Sequence, residues 1–255
     1  MKTVIDLNAD AGESFGRWKL GDDEHLLPLV SSVNVACGWH AGDPATMRRS
    51  VELAKGAGTA LGAHPGLPDL AGFGRRALAM SPAEAADACL YQYGALRGFA
   101  DSLGVEVTHV KPHGAFYGLT MRDETVADAV ADAVASISDE LVVVLHAGAT
   151  AERVAARGLR VAREAFADLE YDENGHIIIE PQPLPKDPQE CAEKAVAILG
   201  GMVRTTAGTW VDIDADTICI HGDRPNAVEI ATAIRERFAA EGVTISPMRE
   251  VLAER

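Results

Sequence analysis

Val4-Ile5-Asp6-Leu7-Asn8-Ala9-Asp10-Ala11-Gly12-Glu13 begins apolar and ends in carboxylates, an amide and glycine. Residues two apart on a strand share a face, so Asp6, Asn8 and Asp10 project to one side of an extended Val4–Asn8 segment and its continuation. The same grammar recurs down the chain. Strands are expected at Ser32–Ala36, Ala60–Ala63, Thr108–Lys111, Leu141–Leu145, Arg160–Glu164 and Thr217–Ile220, separated by Ala-rich helical stretches. Seven strands in βαβα rhythm predict an α/β fold with parallel strands and helical crossovers, either an open doubly wound sheet or a closed barrel. The 255 residues (1–255) suit one barrel domain.

Helix starts are punctuated by Asp43-Pro44, Ser81-Pro82 and Asp187-Pro188, with Glu84 and Glu190 placed for capping boxes. Gly104 and Gly158 stand where helices should stop. Two stretches break the rhythm, Leu169–Ile179 around Asn174-Gly175 and Val203–Ile213 around Ala207-Gly208, and both read as hairpin insertions.

Polar residues gather at the strands' carboxyl ends. Asn34 precedes Cys37-Gly38-Trp39-His40-Ala41-Gly42-Asp43; the third strand ends at His64-Pro65-Gly66, the fourth at His109-Val110-Lys111-Pro112-His113-Gly114, the last at His221-Gly222-Asp223. His109, Lys111 and His113 share one parity, and so do Cys219, His221 and Asp223. If these sets point inward with Asp6, Asn8 and Asp10, they converge at the mouth where α/β folds place active sites. Asp6 and Asn8 could equally be buried hydrogen-bonding struts, and Asp43 reads first as a helix cap. His146 is expected to lie outside the reacting set, His25 and His176 at the surface. Glu164 and Asp168 are weaker candidates for the mouth. Gly72-Phe73-Gly74-Arg75-Arg76 ends in two guanidinium groups suited to an anion or to surface ion pairs.

This inventory suits metal-assisted hydrolysis, with Asp10, His40 and His64 as candidate ligands, or metal-free acid–base hydrolysis. Thirty-eight acidic against 23 basic residues give a net charge of −15, which argues against nucleic acid or an anionic membrane as partner. No Walker loop or Gly-x-Gly-x-x-Gly occurs, so direct nucleotide binding by a familiar loop is unsupported. Cys37, Cys89, Cys191 and Cys219 are widely spaced, read as free buried thiols, and the expected address is the cytoplasm.

Asp6–Gly16, Asn34–Pro44, Gly62–Gly66, Gly72–Arg76, Lys111–Gly114 and His221–Asp223, in this order across nearly the whole chain, resemble the LamB/YcsF family of bacterial 5-oxoprolinase A subunits. The resemblance implies a seven-stranded, TIM-like barrel related to carbohydrate-deacetylase barrels. It also implies ATP-dependent opening of the lactam of 5-oxo-L-proline to L-glutamate, performed with partner subunits B and C, which use the ATP cosubstrate. The substrate is then a small anionic lactam. Asp10, His64, Lys111 and His113 are the expected catalytic residues: Asp10 or His113 activates water, and Lys111 and His64 stabilise the tetrahedral intermediate. Asp6, Asn8, Glu13, Asn34, His40, Arg75, Arg76, His221 and Asp223 are the expected binding residues, with Arg75 or Arg76 on the anion. A stand-alone metal-dependent amidohydrolase or deacetylase and a non-catalytic lactam-binding scaffold are the alternatives. Trp39, Gly118 and Arg224 depart from the family's pattern, where Phe, Asn and Asn are usual.

Overall fold

The computed structural model describes residues 1–255. Its first half runs β1 (Val4–Ala11), α1 (Asp23–Leu26), β2 (Ser32–Ala36), α2 (Pro44–Ala57), β3 (Ala60–His64), α3 (Pro82–Leu103), β4 (Val107–Val110), α4 (Gly114–Arg122), α5 (Glu124–Ile137) and β5 (Val142–His146). The second half runs α6 (Ala149–Ala155), β6 (Val161–Phe166), β7 (Glu170–Tyr171), β8 (Ile177–Ile178), α7 (Pro188–Leu199), β9 (Met202–Arg204), β10 (Trp210–Asp212), β11 (Thr217–Ile220), α8 (Ala227–Ala240), β12 (Thr244–Ile245) and α9 (Met248–Ala253). Strands β1 to β6 pair in parallel, each with the next, and β11 pairs with both β6 and β1. The sheet is therefore a closed seven-stranded barrel, and the open-sheet alternative is excluded. β7–β8 and β9–β10 form the two expected antiparallel hairpins.

One strand has no counterpart in the sequence reading. β12 pairs with Val4 and Ile5, and Thr244 and Ser246 donate to the carbonyls of Thr3 and Ile5 while Ser31 donates to that of Leu7. It thus continues the β2 side of β1 below the start of β2.

Local chemistry explains the helix ends. Asp43 accepts from the amides of Ala45 and Thr46, Ser81 and Glu84 form a full capping box, and Asp187 accepts from Gln189 and Glu190. Gly104 closes α3 in the left-handed conformation. Outward strand residues Ile5, Leu7 and Ile218 pack with Ile234 and Phe238 of α8, while Val33, Val35 and Leu61 share a second core with Val51, Leu96 and Val130. Burying such side chains stabilises the fold by roughly 1.5–3 kcal/mol each.

The inner face is polar, contrary to the aliphatic layers usual in such barrels. Asp6 lies at its floor, accepting from Ser31 Oγ (2.7 Å), Ser32 Oγ (2.6 Å) and Thr217 Oγ1. Burial pushes its carboxyl up to about 6 against those hydrogen bonds. Above it, Asn8 Nδ2 donates to Glu164 Oε1 (3.0 Å) and Thr217 Oγ1 (2.6 Å), and Asn34 Nδ2 donates to Asn8 Oδ1 (2.7 Å). His109 Nε2 donates to Asn34 Oδ1 at 2.9 Å. Gly62 makes room for that ring: a Cβ there would stand 2.0 Å from His109 Nε2. Gly62→Ala is expected to cost about 3 kcal/mol through overpacking, read as a lower urea midpoint; an unchanged midpoint would contradict the layer.

Candidate active site

The mouth of the barrel rests on Lys111. Its ammonium donates to Asp10 Oδ1 (2.8 Å) and Cys219 Sγ (2.9 Å), with Glu164 Oε1 at 2.9 Å. Burial alone would lower its pKa, but Asp10, Cys219 and Glu164 outweigh burial and hold it well above the usual lysine value. All three protons therefore have partners inside the protein, which leaves none for an oxyanion. Lys111 thus holds Asp10 at 2.8 Å while itself lining the cleft.

Asp10 is the centre of the set. Oδ1 accepts from Asn34 Nδ2 (2.9 Å) and Lys111, while Oδ2 faces His64 Nε2 at 3.4 Å and His221 Nε2 at 3.9 Å. Burial would raise this carboxyl, yet His64 and Lys111 outweigh it and hold the group well below the usual carboxylate range. It is an ionised carboxylate with one oxygen toward the cleft.

His221 is held by Asp168, whose two oxygens lie 3.1 and 3.2 Å from Nδ1 and one of which also accepts the His221 amide. Burial would lower the imidazole, but the Asp168 carboxylate outweighs burial and raises it above 6.5. Asp168 is itself depressed, burial being overcome by His221 and Arg224. Nε2 is thereby aimed into the mouth, and the ring stacks on Phe166 with centroids 5.6 Å apart.

Glu13, His40, His64 and His113 form a second, fully buried group whose ligand-type atoms all lie within 4.8 Å of one another, an arrangement able to hold a metal ion. Of the metal candidates, His40 and His64 belong to this group; Asp10 lies beside it. Burial lowers His40 and His113 well below the usual histidine value, so both are neutral, and burial with Asp223 and Asp10 raises Glu13. His40 and His113 stack 3.7 Å apart, nearly parallel.

The cleft above is lined by Asp10, His64, Arg75, Lys111, His113, Tyr117, Phe166, His221 and Arg224, with Leu169, Ile177, Ile179, Glu180 and Pro183 from the first hairpin and its exit. Asp6, Asn8 and Asn34 do not reach it; they are the hydrogen-bonded layers beneath. Arg75 does, paired with Asp223 Oδ2 at 2.8 Å and lying over the Phe73 ring at 4.8 Å. Arg76 turns away, two-thirds exposed and paired with Asp69. Asp43 caps α2 and is absent from the cleft. His146 bonds the Gly175 carbonyl (3.0 Å) in a separate depression beside His176.

Asp168, Glu164 and Arg224 matter more than their sequence positions announced. Glu164, Phe166 and Asp168 share one parity, the signal used on β1, β4 and β11 that could have placed them inward. Arg224 is buried: it donates to Asp168 Oδ2 (3.0 Å), the Asp168 carbonyl (3.0 Å), Glu180 Oε2 (3.0 Å) and the Leu184 carbonyl, tying the segment after β8 to β11's exit. Trp39 lies against Tyr91 of α3, away from the cleft.

The LamB/YcsF family model matches residues 5–253, almost the entire barrel. The chain belongs to the LamB/YcsF family. It is 45% identical over 252 residues to a Pyrococcus furiosus protein named as the A subunit of 5-oxoprolinase, covering 97% of this chain and 99% of that one. The lactam utilization protein from Thermus thermophilus superposes with a TM-score of 0.87 at 45% identity, covering 96% and 99% of the two chains. A family 4 carbohydrate esterase from Streptomyces lividans, at 15% identity and TM-score 0.52 over 95% and 91% of the chains, shares the barrel architecture. No helix of this LamB/YcsF chain is long and apolar enough to cross a membrane.

Proposed function

We propose that this LamB/YcsF chain is the hydrolytic subunit of an ATP-dependent 5-oxoprolinase, opening 5-oxo-L-proline to L-glutamate together with partner subunits B and C. The observation that carries this reading is the pairing of an ionised Asp10 with an Asp168-held His221 across one cleft, in a chain similar over its whole length to proteins named for that activity. A lactam is a poor electrophile, and phosphorylating its oxygen makes that oxygen a leaving group. In the proposed division of labour the partners phosphorylate with ATP and this chain supplies water chemistry. The four free thiols suit a reducing compartment, the cytoplasm.

Asp10 Oδ2 orients the attacking water and draws off its proton. Arg75 uses guanidinium hydrogens not directed at Asp223 to hold the substrate carboxylate or phosphate. His221, protonated at Nε2, donates to the departing nitrogen, so that the C–N bond breaks to give the amine and γ-glutamyl phosphate, and a second water then displaces phosphate from that acyl phosphate to leave L-glutamate. His64 and His113 line the opposite wall of the cleft. The expected Lys111 and Asp6, Asn8 and Asn34 contacts with substrate become support for Asp10.

His221 as acid sets the sign of the pH dependence. Its folded pKa is raised, so its donation is intact at and below about pH 6.5 and is lost as pH climbs through the raised value. The alkaline limb of kcat should therefore lie above pH 6.5, and a limb below it would contradict the assignment. The function itself is tested by glutamate release from 5-oxoproline. Release is expected only with both partners and ATP present, whereas ATP-independent release by the chain alone would point to a stand-alone amidohydrolase.

A further inference from the structure

Two imidazoles in the second group face each other at the edge of the cleft. His113 Nε2 lies 2.8 Å from the Phe73 carbonyl and His64 Nδ1 lies 2.7 Å from the Lys111 carbonyl. A carbonyl can only accept, so those two nitrogens carry the hydrogens, which leaves His113 Nδ1 and His64 Nε2 turned toward the centre of the group, the latter also 3.4 Å from Asp10 Oδ2. The two ring nitrogens stand 3.0 Å apart. Both rings are buried, and this contact is satisfied either by a proton on one nitrogen or by a cation held between them.

Two further acceptors point to the same place. Glu13 Oε1 is 3.6 Å from His113 Nδ1 and 3.5 Å from His40 Nε2. It is buried without a hydrogen-bond partner, and so are both ring nitrogens of His40. Unpaired buried groups of this kind each cost about 1–3 kcal/mol. Four ligand-type atoms from four strand ends thus converge within 4.8 Å of one another, and Glu13 Oε1 and His40 Nε2 among them have no hydrogen-bond partner.

We infer that Glu13, His40, His64 and His113 form a binding site for one divalent transition-metal ion of the zinc class. Metal–nitrogen bonds of about 2.1 Å in a tetrahedron require ligand atoms about 3.4 Å apart; three of the six edges are 3.0, 3.5 and 3.6 Å, and all lie within 4.8 Å, so a small closing movement completes the cage. Three imidazoles and a carboxylate favour zinc or a similar late transition metal over calcium or magnesium. The carbonyls of Phe73 and Lys111 supply the outer hydrogen bonds that fix ligating imidazoles in the correct tautomer. Because His64 and His113 also line the cleft, an ion held here would border the proposed substrate space and could polarise a water or a substrate oxygen.

The inference stands apart from the lactam reading, since the ion would be held by the resting chain without substrate. The full chain is stripped with chelator, incubated with Zn²⁺ or Co²⁺, freed of unbound ion, and assayed for metal per chain, melting temperature and the visible spectrum of the cobalt form. The expected result is about one ion per chain, a raised melting temperature and the intense bands of a four- or five-coordinate site. Glu13→Gln and His40→Gln should each weaken binding at least about tenfold, whereas His176→Gln, at the surface, should leave it unchanged. A folded wild-type chain holding less than about a tenth of an ion would overturn the site and indicate a proton trapped between the imidazoles. So would undiminished binding by folded variants, or, should the variants not fold, a weak octahedral cobalt spectrum in the wild type. Glutamate release by the stripped complex at the full rate would remove the ion from catalysis while leaving the proposed function standing.

Discussion

Lys111→Met is expected to lower glutamate formation by about 10²–10³-fold and to destabilise the barrel by about 3–5 kcal/mol. The ammonium lies 2.8 Å from Asp10 and 2.9 Å from Glu164, both fully buried, with Asp6 on the floor below. Removing it leaves buried carboxylates without a counter-charge, and methionine fills the volume, so a cavity is not the cause. The sign with pH follows. In the wild type Asp10 is depressed, so its contribution is present above about pH 3.9 and is lost as pH falls through the folded value. In the variant Asp10 keeps His64 and His221 but loses Lys111, so its folded pKa rises and the stability deficit should shrink as pH falls toward 5. Adding Glu164→Gln should recover part of the stability and none of the rate. Urea denaturation of both variants across pH, beside turnover in the assembled enzyme, checks this; equal deficits at pH 5 and 8 would mean that packing, not charge, was lost.

Asp168→Asn is the second large effect, a fall in kcat of about 10²–10⁴-fold with assembly intact. The amide cannot hold an imidazolium at His221 Nδ1, so the ring loses both its charge and its orientation toward Asp10. The alkaline limb of the pH profile should move to lower pH, because the group that raised His221 is gone. Arg224→Met separates this from mere loosening of the hairpin. That change removes the ties to Glu180 and Leu184 but leaves the Asp168–His221 pair, so the limb should stay in place while KM rises. An Asp168→Asn profile with its alkaline limb unmoved would show that His221 is not the acid.

The strands and helix caps were legible because they depend on neighbours in sequence. Alternating parity along Val4–Asp10, a proline after Ser81 and a glycine after Leu103 each act within a few residues. Parity also carried Asp10, Lys111 and His221 to the mouth correctly. It could not show that Lys111 would be surrounded by Asp10, Glu164 and Cys219, since those partners come from three other strands. Arg75 and Arg76 looked equivalent as adjacent guanidinium groups, yet the turn through left-handed Phe73 and Gly74 sends one over the cleft and the other to Asp69. The net charge of −15 is a property of the whole chain and does not fix the charge at the mouth. In the folded chain Arg75, Lys111 and Arg224 each meet a carboxylate, so in the proposed reading an anion would be held by Arg75's remaining hydrogens rather than by bulk positive charge. The Glu13–His113 convergence joins four strand-end segments brought together only when the barrel closes, and β12 is two residues long, too short to carry a pattern.

The central claim is that this barrel's mouth performs the hydrolysis, and Asp10→Asn in the complex assembled with both partners tests it most directly. Asparagine keeps the size of the side chain and its acceptor toward Asn34 but removes the carboxylate that faces His64 and His221. With the complex intact by mass, glutamate release from 5-oxoproline and ATP should fall at least about 10²-fold, as expected for losing a positioned base. Release at the wild-type rate would contradict the account and make the chain a scaffold for chemistry done elsewhere.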